Sequence, residues 1–156
     1  MKMLLTMALL CPVFCYSQAC DSLVKIKTDK FTDNTTYSMQ SPIMVDAGAT
    51  TITLWLMKFD KSTSAIATSV SSKGCTDNDQ LLYFIFTDGT KHKRNNQGGF
   101  DCQGASTVYL DKKFKTLLKE KLLASVKVEA MSSSAQGDID IEEAKRLQQV
   151  AQCMFQ

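Results

Sequence analysis

TTITLWLMKF, residues 50–59, carries two apolar sets, with Ile52, Leu54 and Leu56 on one side of an extended chain and Trp55, Met57 and Phe59 on the other. Successive side chains of a strand point to opposite faces, so this stretch reads as an interior strand with cover above and below. LLYFIF, residues 81–86, repeats the signature, being apolar without alternation, rich in aromatics and bounded by polar loops. Two such strands need a layer on each face. We expect helices to supply one layer and folded-over hairpins the other.

Working outward, LVKIKT at 23–28 sets Val24 and Ile26 against Lys25 and Lys27, the alternation of a half-buried strand. A second short strand follows from Thr35 to Met39. Pro42 punctuates it, and Ile43-Met44-Val45 runs into a turn at Asp46-Ala47-Gly48. AIATSVSS at 65–72 leans towards strand, as does TVYL at 107–110. In Thr87-Asp88-Gly89-Thr90 the Asp-Gly pair supplies the positive φ angles of a tight hairpin turn. The rhythm then changes to helical spacing: Phe114, Leu117, Leu118 and Leu122 recur between Lys112 and Ala124, with Lys113, Lys115, Lys119 and Lys121 largely on the other side. SVKVEAM at 125–131 returns to period two, and SSSAQG at 132–137 reads as a flexible stretch. Asp140 with Glu143 forms a capping box for a closing helix with an apolar stripe of Ala144, Leu147, Val150 or Ala151, and Met154. All seven glycines fall in proposed turns. The expected fold is a β-rich α+β domain, mainly an antiparallel sheet of about seven strands with two C-terminal amphipathic helices.

The chain opens on MKMLLTMALLCPVFCYS, with one Lys, an apolar run from Met3 to Phe14, and small residues at Cys15 and Ser17. That is the pattern of a secretory signal peptide, and its apolar run of about twelve residues falls well short of the roughly 20 that span a bilayer. We expect residues 1–17 to be removed and 18–156 to form one secreted domain, periplasmic, cell-surface or extracellular. Cys20, preceded by Ala19, half fits a lipid-anchoring pattern. Losing Lys2 takes the 18 basic residues to 17 against 16 acidic, a near balance that gives no strong field for nucleic acid or anionic membrane.

Four cysteines follow the leader, and an even number in an exported chain signals disulfides, with three pairings open. Cys75 and Cys102 sit in polar, glycine-containing loops on either side of LLYFIF, while Cys20 and Cys153 sit at the two ends of the domain. We therefore favour Cys75 with Cys102 and Cys20 with Cys153. No two of the four are two to four residues apart, so structural zinc is not expected, and no other metal or cofactor is assigned.

His92, the one histidine, lies in Lys91-His92-Lys93-Arg94 just past the hairpin turn. Its cationic neighbours disfavour protonation, no G-x-S-x-G elbow is present, and the segment reads as a solvated hairpin arm. We assign no catalytic residue. The run Lys91, His92, Lys93, Arg94 is nevertheless a candidate polyanion contact, although as an exposed edge its lysines also serve to block pairing with other chains. Asp77-Asn78-Asp79 spaces oxygen ligands as calcium loops do but lacks the glycine and glutamate of an EF-hand, and reads as a polar turn. Asp138, Asp140, Glu142 and Glu143 fit the start of a helix, where carboxylates meet free amides. Asn34-Thr35-Thr36 is a glycosylation sequon placed in an exposed turn.

Tyr16-Ser17-Gln18 near the leader exit, Lys30-Phe31-Thr32-Asp33, the Phe86-x-Asp88-Gly89 hairpin and a closing helix bearing Cys153 resemble features of uncharacterised small secreted bacterial proteins. The resemblance covers most of the chain after the leader and implies export without implying an activity. The functional expectation is a secreted or envelope-associated, non-enzymatic binding or structural domain with a protein or polysaccharide partner. The competing classes are a small carboxylate-dependent hydrolase and a polyanion-binding module acting through residues 91–94.

Overall fold

The computed structural model describes residues 20–60, 63–71 and 75–156. The expected leader lies outside them. Residues 20–23 are helical and lead into ten strands and two helices. In chain order these are β1 Val24–Thr28, β2 Thr35–Met39, β3 Ile43–Asp46, β4 Thr51–Lys58, β5 Ser64–Val70, β6 Leu81–Phe86, β7 Lys91–Asn95, β8 Ala105–Tyr109, α1 Lys112–Glu120, β9 Leu123–Ala130, β10 Ser133–Asp138 and α2 Ile141–Met154.

The strands form two antiparallel sheets. Six belong to the larger, in the order β1-β2-β4-β5-β8 with β3 also on β4, and four to the smaller, in the order β10-β9-β6-β7. The α+β class and the antiparallel pairing agree with expectation, and the count of about seven strands is roughly right, although ten strands are present and they divide between two sheets. Three segments account for the difference. Pro42 divides β2 from β3, and both pair with β4. The supposed hairpin arm is β7, paired with β6 from Leu81↔Asn95 to Ile85↔Lys91. The supposed flexible serine stretch is β10, paired with β9 from Ser133↔Ala130 to Asp138↔Ser125.

One continuous core joins the inward faces of both sheets to the helices. Ile52, Leu54 and Leu56 of β4 and Leu82, Phe84 and Phe86 of β6 are buried in it. The other faces of these strands are only half-buried, Trp55 and Met57 on β4 and Leu81, Tyr83 and Ile85 on β6. The expectation of cover on both faces therefore fails, because the helices lie on the inward side. There Phe114 of α1 stacks 4.8 Å from Phe84, and α2 touches β9 of one sheet and β4 and β1 of the other.

Caps and turns fix these positions. Asp111 accepts from the Phe114 amide at 2.7 Å and starts α1, and Asp140 accepts from the Glu142 amide at 2.8 Å and starts α2. Glu143 does not close the expected capping box but pairs with Arg146, whose guanidinium also donates to the Ser41 and Pro42 carbonyls, both at 2.8 Å, and so docks α2 on the kink between β2 and β3. In the β6–β7 turn only Gly89 has a positive φ, 83°, so the connection is the wider kind with one left-handed residue and not the two-residue turn expected. Gly137 is not in a turn at all. It lies within β10, where a Cβ would overlap the Asp46 carbonyl oxygen, so only glycine lets β10 approach β3 this closely.

Two cysteine pairs stand at disulfide distance, Cys20–Cys153 with Cα atoms 5.6 Å apart and Cys75–Cys102 with Cα atoms 3.9 Å apart. These are the pairs favoured from sequence position. No helix among the described residues is long and apolar enough to cross a membrane.

Candidate functional site: the outer face of the four-stranded sheet

Because side chains alternate along a strand, the inward burial of Leu82, Phe84, Val126 and Val128 forces their neighbours outward. Register then sets those neighbours in rows across the sheet. One row runs Gln136, Lys127, Tyr83, Lys93; the next runs Asp138, Ser125, Ile85, Lys91. Together they line a concavity of about 620 Å³. Tyr83 and Ile85 form its floor. Lys91 and Lys93 rise from the edge strand β7 on one side, and Gln136 and Asp138 from the edge strand β10 on the other.

The centre of this face is electrostatically organised. The Lys127 ammonium lies 5.2 Å from the centroid of the Tyr83 ring and 3.3 Å from the Glu129 carboxylate. Burial, and secondarily the Glu129 charge, raise the Tyr83 phenol above its ordinary value, with Lys127 opposing them. Tyr83, Lys127 and Glu129 thus form one interacting group at the centre of the face, the phenol beside the Glu129 carboxylate and the ammonium between ring and carboxylate.

The basic run singled out in the sequence is divided by the same alternation. Lys91 and Lys93 border the concavity, whereas Arg94 and the half-buried His92 turn towards α1. His92 lies 4.3 Å from the Phe114 ring, and its Nε2 accepts from Arg94 Nε at 3.0 Å. Arg94 in turn pairs with Asp111, the cap of α1. Desolvation, followed by the charges of Arg94 and Lys113, lowers the His92 pKa below its ordinary value, which suits an acceptor imidazole. His92 therefore packs an edge strand onto a helix and is no solvated arm.

The other oxygen-rich candidates have structural tasks. Asp77 Oδ1 accepts from the Asn78 amide at 2.7 Å, and Asn78 Oδ1 accepts from the Gly99 amide at 3.2 Å. Asp140 caps, Glu142 pairs with Lys145, and of that acidic group Asp138 alone reaches the concavity. Sequence reasoning missed Tyr83, Ile85, Ser125, Lys127 and Gln136. Only Ser125 and Lys127 had a signal, the period-two alternation of 125–131; LLYFIF is apolar on both faces and SSSAQG carries no pattern, and no local pattern says which strands lie side by side.

Comparison with protein-family models, with curated proteins and with solved structures finds no match for this chain. The functional reading accordingly rests on the geometry of the face.

Proposed function

We propose that this protein is an exported, non-enzymatic binding module that holds an anionic ligand on the outer face of its four-stranded sheet. The observation that carries this reading is the charge around the concavity: the ammonium groups of Lys91 and Lys93 along one edge, with Lys127, which is shared with Glu129, at the centre, against the carboxylate of Asp138. An anion about 4 Å from one such ammonium gains roughly 1 kcal/mol in water and about 4 kcal/mol where the surface lowers the effective dielectric constant. A hydrolase working through paired carboxylates needs two acids facing one bond, and here Glu129 is held by Lys127 while Asp138 stands on the far edge strand, which favours binding instead.

Export is supported by the leader pattern and by the two cysteine bridges, which suit an oxidising exterior, periplasmic, cell-surface or extracellular. Cys20 at disulfide distance from Cys153 favours a bridge over a lipid anchor at that residue. Residues 18–156 are the secreted domain on this reading, and the polyanion contact assigned to 91–94 narrows to Lys91 and Lys93 with Lys127 added.

Chromatography on immobilised heparin tests the proposal. Retention at low salt should collapse as salt rises, because screening and counterion release weaken contacts between exposed charges. Lys91→Gln with Lys93→Gln should elute markedly earlier. Elution of the unaltered protein with the unretained fraction at low salt would refute the reading.

A further inference from the structure

We propose that the ligand is an acidic sugar, a uronic acid unit whose carboxylate meets Lys91 and Lys93 while its hydroxyls meet Gln136 and Asp138. This rests on the anion-binding reading of the same face and narrows it. The face is not uniformly basic. Its cations stand on β7 and at the centre of β9, whereas the far edge, β10, presents an amide and a carboxylate.

A ligand with nothing but anionic groups to offer, such as a polyphosphate, would set one of them against Asp138. A uronic acid unit, alone or within an oligomer, has its carboxylate at one end of the ring and can set hydroxyls there instead. Hydroxyls donate to a carboxylate, and an amide side chain both donates and accepts, so Asp138 and Gln136 side by side on one edge strand suit a hydroxylated ligand. Ser125, beside Asp138 across the β9–β10 pair, adds a hydroxyl able to do either.

The floor fits as well. The carbon–hydrogen face of a pyranose is apolar and packs on aromatic and aliphatic surface, here Tyr83 and Ile85. Backbones of adjacent strands lie about 4.8 Å apart, so β7 and β10 stand about 14 Å apart across the face, room for a ring at the centre with side chains reaching it from both edges. The concavity of about 620 Å³ falls within the range of roughly 300–1,000 Å³ usual for small-ligand sites.

Calorimetric titration of the disulfide-intact protein with oligogalacturonate, monomeric galacturonate and inorganic polyphosphate tests the inference. Oligogalacturonate should bind, and Lys91→Gln with Lys93→Gln should weaken it about tenfold or more, as the loss of two charge contacts implies. Asp138→Asn gives the deciding sign. With a sugar in the site, losing the carboxylate should weaken oligogalacturonate about fivefold, the worth of one hydrogen bond, while polyphosphate binding is unchanged or strengthened. Gln136→Ala should act in the same direction. Binding of the monomer as well as the oligomer identifies a single sugar as sufficient, and binding of the oligomer alone identifies a polymer; either supports the inference. Polyphosphate binding as tight as oligogalacturonate, with both strengthened by Asp138→Asn, would overturn the sugar assignment and leave the anion-binding face standing. Failure of every anion, heparin included, would overturn both.

Discussion

Asn96, only 1% exposed, uses its whole side-chain hydrogen-bonding capacity. Its Nδ2 donates to the Asp77 carbonyl at 3.1 Å and the Gly99 carbonyl at 3.3 Å, and its Oδ1 accepts from the Thr107 amide at 2.8 Å and the Gly98 amide at 3.0 Å. One residue thereby ties the exit of β7 to β8 and to the segment that enters β6. Asn96→Ala should cost about 2–4 kcal/mol, because it strands buried amides and carbonyls and does not merely remove a contact. The midpoint of urea unfolding measures this, and a loss below about 0.5 kcal/mol, the range of ordinary surface substitutions, would contradict the assigned role. Nothing in the sequence separates Asn96 from the exposed Asn95 beside it. Their difference arises when two strands from separate sheets converge on one loop, a distance in space that local pattern does not encode.

At the scale of elements, β7 shows how an edge strand is secured. It has β6 on one side, and its inward residues His92 and Arg94 clamp it to α1. The His92 pKa is lowered in the fold, so as pH falls the unfolded chain takes up the proton first. The stabilisation is therefore complete above the unfolded value of about 6.5 and is lost as pH drops from there towards the lower folded value. The urea midpoint of the unaltered protein should decline more between about pH 7.5 and about pH 5.5 than that of His92→Gln, which carries no titrating imidazole at this contact. Equal declines would remove His92 from the pH dependence. The alternation of β7 was present in KHKRN, but charge on both faces hid it: of the inward pair, His92 packs on the Phe114 ring and Arg94 meets the Asp111 cap, so neither is a hydrocarbon side chain. β10 was harder to see. In SSAQGD only Ala135 is buried, and the strand forms because β9 offers it an open row of backbone partners. The long apolar strands and both helices were legible because their own side chains build the core.

Across the whole molecule, the Cys20–Cys153 bridge closes a separation of 133 residues and fixes α2, the last element, to the helical turn that precedes β1. Cys20→Ser with Cys153→Ser should lower stability by about 3–5 kcal/mol through the larger freedom of the unfolded chain, read from the shift in urea midpoint with Cys75–Cys102 left intact. A change below about 1 kcal/mol would indicate that the bridge does not constrain the unfolded chain as this long loop predicts. The bridges were legible from sequence because their cysteines bracket the domain and one central strand. The binding face was not, since it is assembled from β6, β7, β9 and β10, strands whose adjacency is set by how two sheets share one core. The central claim is that this face, and not the outer face of the larger sheet around Trp55, receives the ligand. Amide chemical-shift mapping of the labelled protein during titration with a short sulfated oligosaccharide tests it most directly. The account predicts shifts concentrated at Tyr83, Ile85, Lys91, Lys93, Lys127 and Asp138; shifts centred on Trp55 and β5, or spread evenly over the surface, would contradict it.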